Sequence, residues 1–347
     1  MIRVLIAEDS VTDRELLVEL LNSDPDFRVV GQAENGVRAV ELALELRPDL
    51  ITMDIHMPLL DGLEATKEIM VKTPTPILVV SSALRERGVE LSLHAIRAGA
   101  LMAVEKPGPP GLPDFAERRA QFLSQAKAMA GVKVVRRWAT SPPAPEVDRG
   151  DPAGSHGPVR LIAIAGSTGG PAALHRVLGD LPGDFPLPLV VVQHIAAGFV
   201  AGLAEWLRSS CSLRVKVAED DEPLAPRTVY LASDDRHLGV SNRTIRMSTA
   251  GPINGFRPSA THLFETAALA YGSSLAAVVL TGMGNDGVAG LRAVKQAGGR
   301  VIAQNEATSV IYGMPREAVA AGVVDLELAI TEIGPRLTAM AAGRRGK

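Results

Sequence analysis

A single cysteine, Cys211, occurs in the 347 residues. It leaves no intrachain disulfide and no cysteine-based metal centre. That usage fits a reducing compartment, and a cytoplasmic location is expected. Aromatic residues are scarce at 3%, while hydrophobic residues reach 46%. A core built from Ala, Val and Leu suits α/β proteins with parallel sheets. Basic charge has no surplus: 36 Lys and Arg stand against 39 Asp and Glu. That balance argues against a nucleic-acid partner. No apolar run approaches the roughly 18 residues that a membrane span needs. The opening MIRVLIAEDS meets acids too soon for a signal peptide, and no membrane insertion is expected.

What is present is alternation. Strand-like apolar runs begin near Ile2, Phe27, Leu50, Ile77 and Leu101, with helical patterns between them. Such alternation implies a parallel sheet with helices on both faces. A second array begins at Val159, with strand candidates near Arg160, Leu187, Arg214, Thr228, Ala276 and Arg300. A hairpin is expected over 239–248. Between the arrays, TSPPAPEVDRGDPAGSHGP is rich in Pro, Gly, Asp and Ser and has little apolar surface to bury. The expected organisation is a first domain over 1–125, a linker over 126–158 and a second domain over 159–347. Each domain is long enough to bury its own core.

In the first array, polar residues fall where strands end. Glu8 and Asp9 follow VLIA, Asp54 follows LITM, Ser81 follows ILVV, and Lys106 follows LMAVE. The carboxyl ends of a doubly wound parallel sheet share one crevice. Three carboxylates there need a cation, and their hard oxygens suit Mg²⁺. Lys106 offers a charge, and Ser81 a hydroxyl, to a phosphoryl group. One such acid would pass as an ordinary solvated strand cap, but five polar groups in register do not.

The segments EDS, MDIHMPLLDG, VVSS and EKP, in that order, make this half resemble the response-regulator receiver family. The resemblance implies a flavodoxin-like receiver with a five-stranded parallel sheet. It also implies phosphorylation of Asp54 by a histidine kinase, with Mg²⁺ held by Glu8, Asp9 and Asp54. Glu8 stands where Asp is more usual. Ala103 occupies the position that often carries a switching aromatic, so an aromatic relay is not expected.

A DNA-binding output would need basic character and a helix-turn-helix, and neither follows the linker. Instead, LIAIAGSTGGPAAL runs a strand into a Gly-rich turn, with Pro171 at an expected helix start. Ser167 lies in that turn, where free N–H groups favour a developing oxyanion. The glycines do not follow dinucleotide-binding spacing, and no P-loop lysine follows them. His194 closes the run LPLVVVQHI, and Asp286 sits in VVLTGMGNDG just before a helix. Each has a plainer reading: a polar strand cap for His194, a helix N-cap for Asp286. His175, His237 and His262 are rival bases, and Asp234 and Asp235 rival acids. Ser167, His194 and Asp286 are the set that best meets at strand carboxyl ends, as a Ser-His-Asp triad requires.

The motifs GSTGGP, VVVQHI, FRPSATHLF, VVLTGMGNDG and AQNEATSVIYGMPREA make the second half resemble the catalytic domain of the CheB-type chemotaxis protein-glutamate methylesterases. The resemblance implies a doubly wound, mostly parallel α/β hydrolase-type domain and a serine esterase that needs no cofactor. Ser167 would be the nucleophile, His194 the base and Asp286 its orienting acid, with Met283 and Thr168 around the oxyanion. The substrate would be methylated glutamates, and glutamines, of chemoreceptor cytoplasmic domains. An unphosphorylated receiver would restrain the esterase. Ser233, Asp234 and Thr261 depart from the family pattern, and an influence on substrate preference is expected of them.

Overall fold

The computed structural model describes residues 1–82, 94–96, 98–111, 113–132, 158–195 and 198–342. Two compact units divide the chain, Met1–Glu146 and Val147–Lys347. Of the expected linker, residues 133–157, with His156, lie outside the described residues.

The first unit contains β1 (Ile2–Ala7), α1 (Val11–Asn22), β2 (Phe27–Ala33), α2 (Gly36–Leu46), β3 (Leu50–Met53), α3 (Gly62–Lys72), β4 (Ile77–Val80), β5 (Met102–Val104) and α4 (Phe115–Ala130). Its five strands run in the order β2-β1-β3-β4-β5, and every pairing is parallel. Polar side chains open the helices. Ser10 accepts from the Asp13 amide, Asn35 from that of Arg38, and Asp61 from those of Leu63 and Glu64. Each oxygen satisfies an N–H that the first helical turn leaves without a partner. The strand order reverses at β1 and β3, which puts Glu8 and Asp54 in adjoining strand ends. One boundary needs correction. Helix α4 runs through to Ala130, with Ala126 and Met129 buried. Residues 126–130, expected in the linker, therefore pack as part of this unit.

The second unit contains β6 (Leu161–Gly166), α5 (Gly170–Gly179), β7 (Leu189–Gln193), α6 (Val200–Ser210), β8 (Arg214–Val217), β9 (Thr228–Leu231), β10 (His237–Ser241), β11 (Thr244–Ser248), α7 (Ala260–Tyr271), β12 (Leu275–Val279), α8 (Val288–Gln296), β13 (Arg300–Gln304), α9 (Met314–Ala320), β14 (Leu326–Leu328) and α10 (Ile330–Ala342). Seven strands pair in the order β14-β13-β12-β6-β7-β9-β8, all parallel. The expected hairpin forms as the antiparallel pair β10 and β11, outside this sheet. The seventh strand, β14, leaves no mark in the sequence pattern. Its three residues, LEL, are too few to carry a periodicity. Strands β6, β7 and β12 are buried along their whole length, which explains their unbroken apolar character. The chain leaves β6 toward β7 on one side and returns at β12 on the other. The crevice beyond these three strand ends is where a ligand is expected in such a sheet.

Close approach of backbone makes Gly62 irreplaceable. A Cβ there would lie 1.8 Å from the Asp54 carbonyl oxygen. Gly62→Ala should destabilise the first unit by about 1–3 kcal/mol, as overpacking does in tight cores. Thermal unfolding of the full chain would show this as a lowered first transition.

Candidate active site and phosphoacceptor pocket

In the first unit, Glu8, Asp9 and Asp54 each bring one oxygen to within 4.8 Å of the others. Asp54 is buried, and its Oδ1 accepts from the Ile55 amide at 2.7 Å. Lys106 Nζ lies 2.8 Å from Glu8 Oε2, 3.2 Å from Asp54 Oδ2 and 2.7 Å from Asp13 Oδ2. The Glu8 contact is an ion pair without well-directed hydrogen-bond geometry. Burial pushes the Glu8 carboxyl up to about 7, Lys106 draws it back in part, and the Asp54 charge pushes it further up. Burial also opposes the charge on Lys106, but Asp13, Glu8 and Asp54 outweigh it and hold the ammonium above its ordinary value. This concentration of acids fits a hard divalent cation, whose charge would relieve the repulsion. Ser81 is buried at the end of β4, its amide bonded to the Val104 carbonyl at 3.1 Å. Asp13 was missed from the sequence because it lies in α1, away from any strand end.

In the second unit, the turn after β6 is bound to both neighbouring strand ends. The Ser167 amide donates to the Thr281 carbonyl at 3.0 Å, and the His194 amide donates to the Gly166 carbonyl at 2.9 Å. Gln193 Nε2 donates to the carbonyls of Ser167 and His194, at 2.7 and 2.9 Å. The Thr281 hydroxyl reaches the Thr168 carbonyl at 3.0 Å and accepts from the Ile311 amide at 2.9 Å. These bonds hold the Ser167 turn, His194 and the Met283 loop in one frame. Gly169 turns the chain into α5 with φ of 77°, a conformation that glycine adopts freely. Neither Gln193 nor Thr281 was singled out from the sequence. Each is a polar residue ending an otherwise apolar run, and that was the available signal.

His194 and Asp286 meet directly, Nε2 to Oδ2, at 3.0 Å. Asp286 is buried and also accepts from Ser259 Oγ at 2.8 Å, the Ala260 amide at 2.6 Å, and the Thr261 amide and hydroxyl at 3.1 and 2.9 Å. It therefore does not cap the helix that follows it. It caps α7 from outside, where amide groups and the helix dipole favour an anion. Burial alone would raise its pKa. The bonds from His194, Ala260, Ser259 and Thr261 prevail and lower it to about 2. With Nε2 engaged, His194 Nδ1 is buried and lacks a partner among the described residues. The structure brings Ser167 into the same frame through its backbone, but no hydrogen bond joins its hydroxyl to His194. Such bonds often tighten only when substrate arrives.

The rivals are occupied elsewhere. His175 stacks on Trp206 with centroids 5.0 Å apart. His237 Nδ1 accepts from the Ser259 amide at 3.2 Å, and its Nε2 donates to the Gly251 carbonyl at 3.1 Å. His262 packs against His237, and burial lowers its pKa. Asp234 accepts from the Gly198 amide at 2.9 Å, and Asp235 pairs with Arg257. Thr261 is 4% exposed, donates to Asp286 and accepts from the Gly287 amide at 2.9 Å. Its hydroxyl supports the acid. Met283 is exposed at the rim of the crevice.

The CheB methylesterase family matches residues 162–337, and the response regulator receiver domain family matches residues 4–112. A protein-glutamate methylesterase/protein-glutamine glutaminase of Myxococcus xanthus is 53% identical, covering 99% of this chain and 98% of its own. The chain belongs to the CheB methylesterase family. Another relative, the protein-glutamate methylesterase/protein-glutamine glutaminase 3 of Anaeromyxobacter dehalogenans, is 49% identical over 97% of this chain and 98% of its own. The crystal structure of the Thermotoga maritima CheB methylesterase catalytic domain superposes with a TM-score of 0.51 at 40% identity. It covers 52% of this chain and 98% of that one. Among the described residues, no helix is long and apolar enough to cross a membrane.

Thr261→Val keeps the volume but removes a donor to Asp286 and the acceptor for Gly287. A loss of about 1–3 kcal/mol in the second unit is expected from chemical denaturation, since buried partners are left unsatisfied. The pH dependence follows from the sign of the Asp286 shift. Its lowered pKa stabilises the fold above the ordinary value of 3.8, and that stability disappears as pH falls through about 2. Asp286→Asn should abolish this part of the acid sensitivity, measured as denaturation midpoints across that window.

Proposed function

We propose that this chain is a phosphorylation-activated protein-glutamate methylesterase that also deamidates glutamine, acting on chemoreceptor cytoplasmic domains during sensory adaptation. The observation that carries the reading is the pairing of half-buried His194 with buried Asp286 beside the Ser167 turn. The proposed organisation is a receiver through α4, a linker after it, and a catalytic domain over 159–347. The protein would work in the cytoplasm, where receptor signalling helices are reached without membrane insertion.

Ser167 Oγ attacks the γ-carbonyl of a glutamate methyl ester. His194 Nδ1 takes the hydroxyl proton, and Asp286 on Nε2 stabilises the resulting imidazolium. The amides of Met283 and Thr168 donate to the oxyanion, each worth about 3–4 kcal/mol by analogy with other acyl-transfer sites. The C–O bond to methanol then breaks as His194 returns its proton to the leaving oxygen. A water, deprotonated by the same nitrogen, cleaves the acyl-enzyme and restores Ser167. With a glutamine substrate, ammonia leaves in place of methanol. The steps use only side chains, amides and water.

In the receiver, Asp54 would accept a phosphoryl group from a chemotaxis histidine kinase. Glu8, Asp9 and Asp54 would hold Mg²⁺, which when bound neutralises charge on the transferring phosphoryl group. Lys106 and the Ser81 hydroxyl would then grip the phosphoryl oxygens. To do so, Lys106 must exchange its present carboxylate partners for phosphate. Ala103 leaves no aromatic switch at its position, so the signal departs by another route.

Ser167→Ala should cut methanol release from a methyl-esterified receptor by roughly 10⁴-fold or more, as losses of triad nucleophiles do. Release at near wild-type rate would sink the assignment. Asp54→Asn should leave basal release intact and remove stimulation by a small-molecule phosphodonor. Persistent stimulation would show that activation does not pass through Asp54.

A further inference from the structure

The ring of Phe256 lies flat against the His194 imidazole. Their centroids are 4.4 Å apart and their planes 11° apart. The contact is presented by a small built turn. Ile253 and Phe256 exchange both backbone hydrogen bonds, each 3.0 Å. Between them, Asn254 and Gly255 have φ of 50° and 85°. Positive φ at both central positions is the two-residue hairpin turn that Asn-Gly favours. Arg257 fastens the turn on its far side. Its Nε donates to Asp235 Oδ1 at 2.7 Å, and its Nη1 donates to the Ala250 carbonyl at 3.2 Å. A Cβ built on Gly284 would lie 4.0 Å from Phe256 Cζ. The phenyl ring thus reaches from the imidazole to the loop that carries Met283.

A hydrogen bond at one nitrogen leaves an imidazole free to tilt about that contact. Only Asp286 fixes His194 through its ring nitrogens, because Nδ1 has no partner among the described residues. A flat ring stacked on one face opposes the tilt and keeps water off that face. Its π-face also favours a positive charge alongside it. That preference acts when the imidazole is protonated, so it favours the transition state over the ground state. Phe256 is itself only partly buried and is absent from the fully buried core.

We propose that Phe256, presented by the Asn254–Gly255 turn, is a positioning residue that holds the His194 imidazole in its reactive orientation and stabilises its protonated form. The proposal rests on the esterase reading above. Phe256→Leu keeps an apolar side chain and loses the π-face, whereas Phe256→Tyr keeps both. With a methyl-esterified receptor cytoplasmic fragment and the full chain, Phe256→Leu should lower kcat about tenfold, between the scales of an exposed and a desolvated cation–π contact, with KM little changed. Phe256→Tyr should restore kcat. Gly255→Ala, which strains the turn while leaving the ring intact, should also lower kcat. In NMR spectra, the ring-proton resonances of His194 should carry an upfield ring-current shift in wild type and Phe256→Tyr, and lose it in Phe256→Leu. Wild-type kcat in Phe256→Leu, or His194 resonances unmoved by that change, would overturn the proposal. A wild-type chain releasing no methanol would instead defeat the esterase reading, and the resonance comparison would still decide whether the stack forms.

Discussion

The carboxylate of Asp286 organises the second unit's crevice. Its oxygens accept from His194, from Ser259, from the Ala260 amide, and from the Thr261 amide and hydroxyl. A buried anion is costly unless it is well bonded, and this one is bonded to the start of α7. That arrangement links three separate parts of the chain: the loop after β12, the start of α7 and the end of β7. Removing the charge would leave donors without acceptors as well as releasing the histidine. Stability and the orientation of His194 therefore depend on the same group.

A second layer of bonds supports this anion and the turn opposite it. Thr261 joins Asp286 to the Gly287 amide. Ser259, whose hydroxyl reaches Asp286, has its own amide held by His237. Across the crevice, Gln193 ties the Ser167 and His194 backbones together, and Thr281 ties the serine turn to the loop at Ile311. A site assembled this way keeps its geometry without moving much on binding, which lowers the reorganisation cost of catalysis. The receiver pocket has a different character. Its acids are crowded, and one lysine is shared among Glu8, Asp13 and Asp54. Crowded charge whose partners can be exchanged suits a switch, whereas satisfied hydrogen bonds suit a fixed catalytic frame.

Much of this was legible in the sequence. The five strand runs of the receiver, the polar residues ending them, and the candidates Ser167, His194 and Asp286 could be read from apolar runs followed by chemistry-bearing residues. These signals are local. Strand β14 escaped because three residues show no pattern, and the linker boundary at residue 126 falls inside α4, whose buried positions continue to Met129. The bond from Thr261 to Asp286 was not legible, because a sequence does not say which way a helix start faces.

By itself, the sequence determined the two α/β arrays and marked the acids and lysine at the strand ends of the first, and Ser167, His194 and Asp286 at those of the second, as candidates. Tertiary structure decided how they are held. It put Asp286 on Nε2 of His194, left Nδ1 without a partner among the described residues, and made the start of α7 the cradle of the acid. It also brought Gln193 to Ser167 and laid Phe256 on the imidazole. The physical reason is separation along the chain. Asp286 lies 92 residues from His194 and 25 from Thr261, and Gln193 lies 26 from Ser167. Periodicity and strand-end chemistry are properties of neighbouring residues, whereas these bonds exist only after the sheet has brought distant strand ends together.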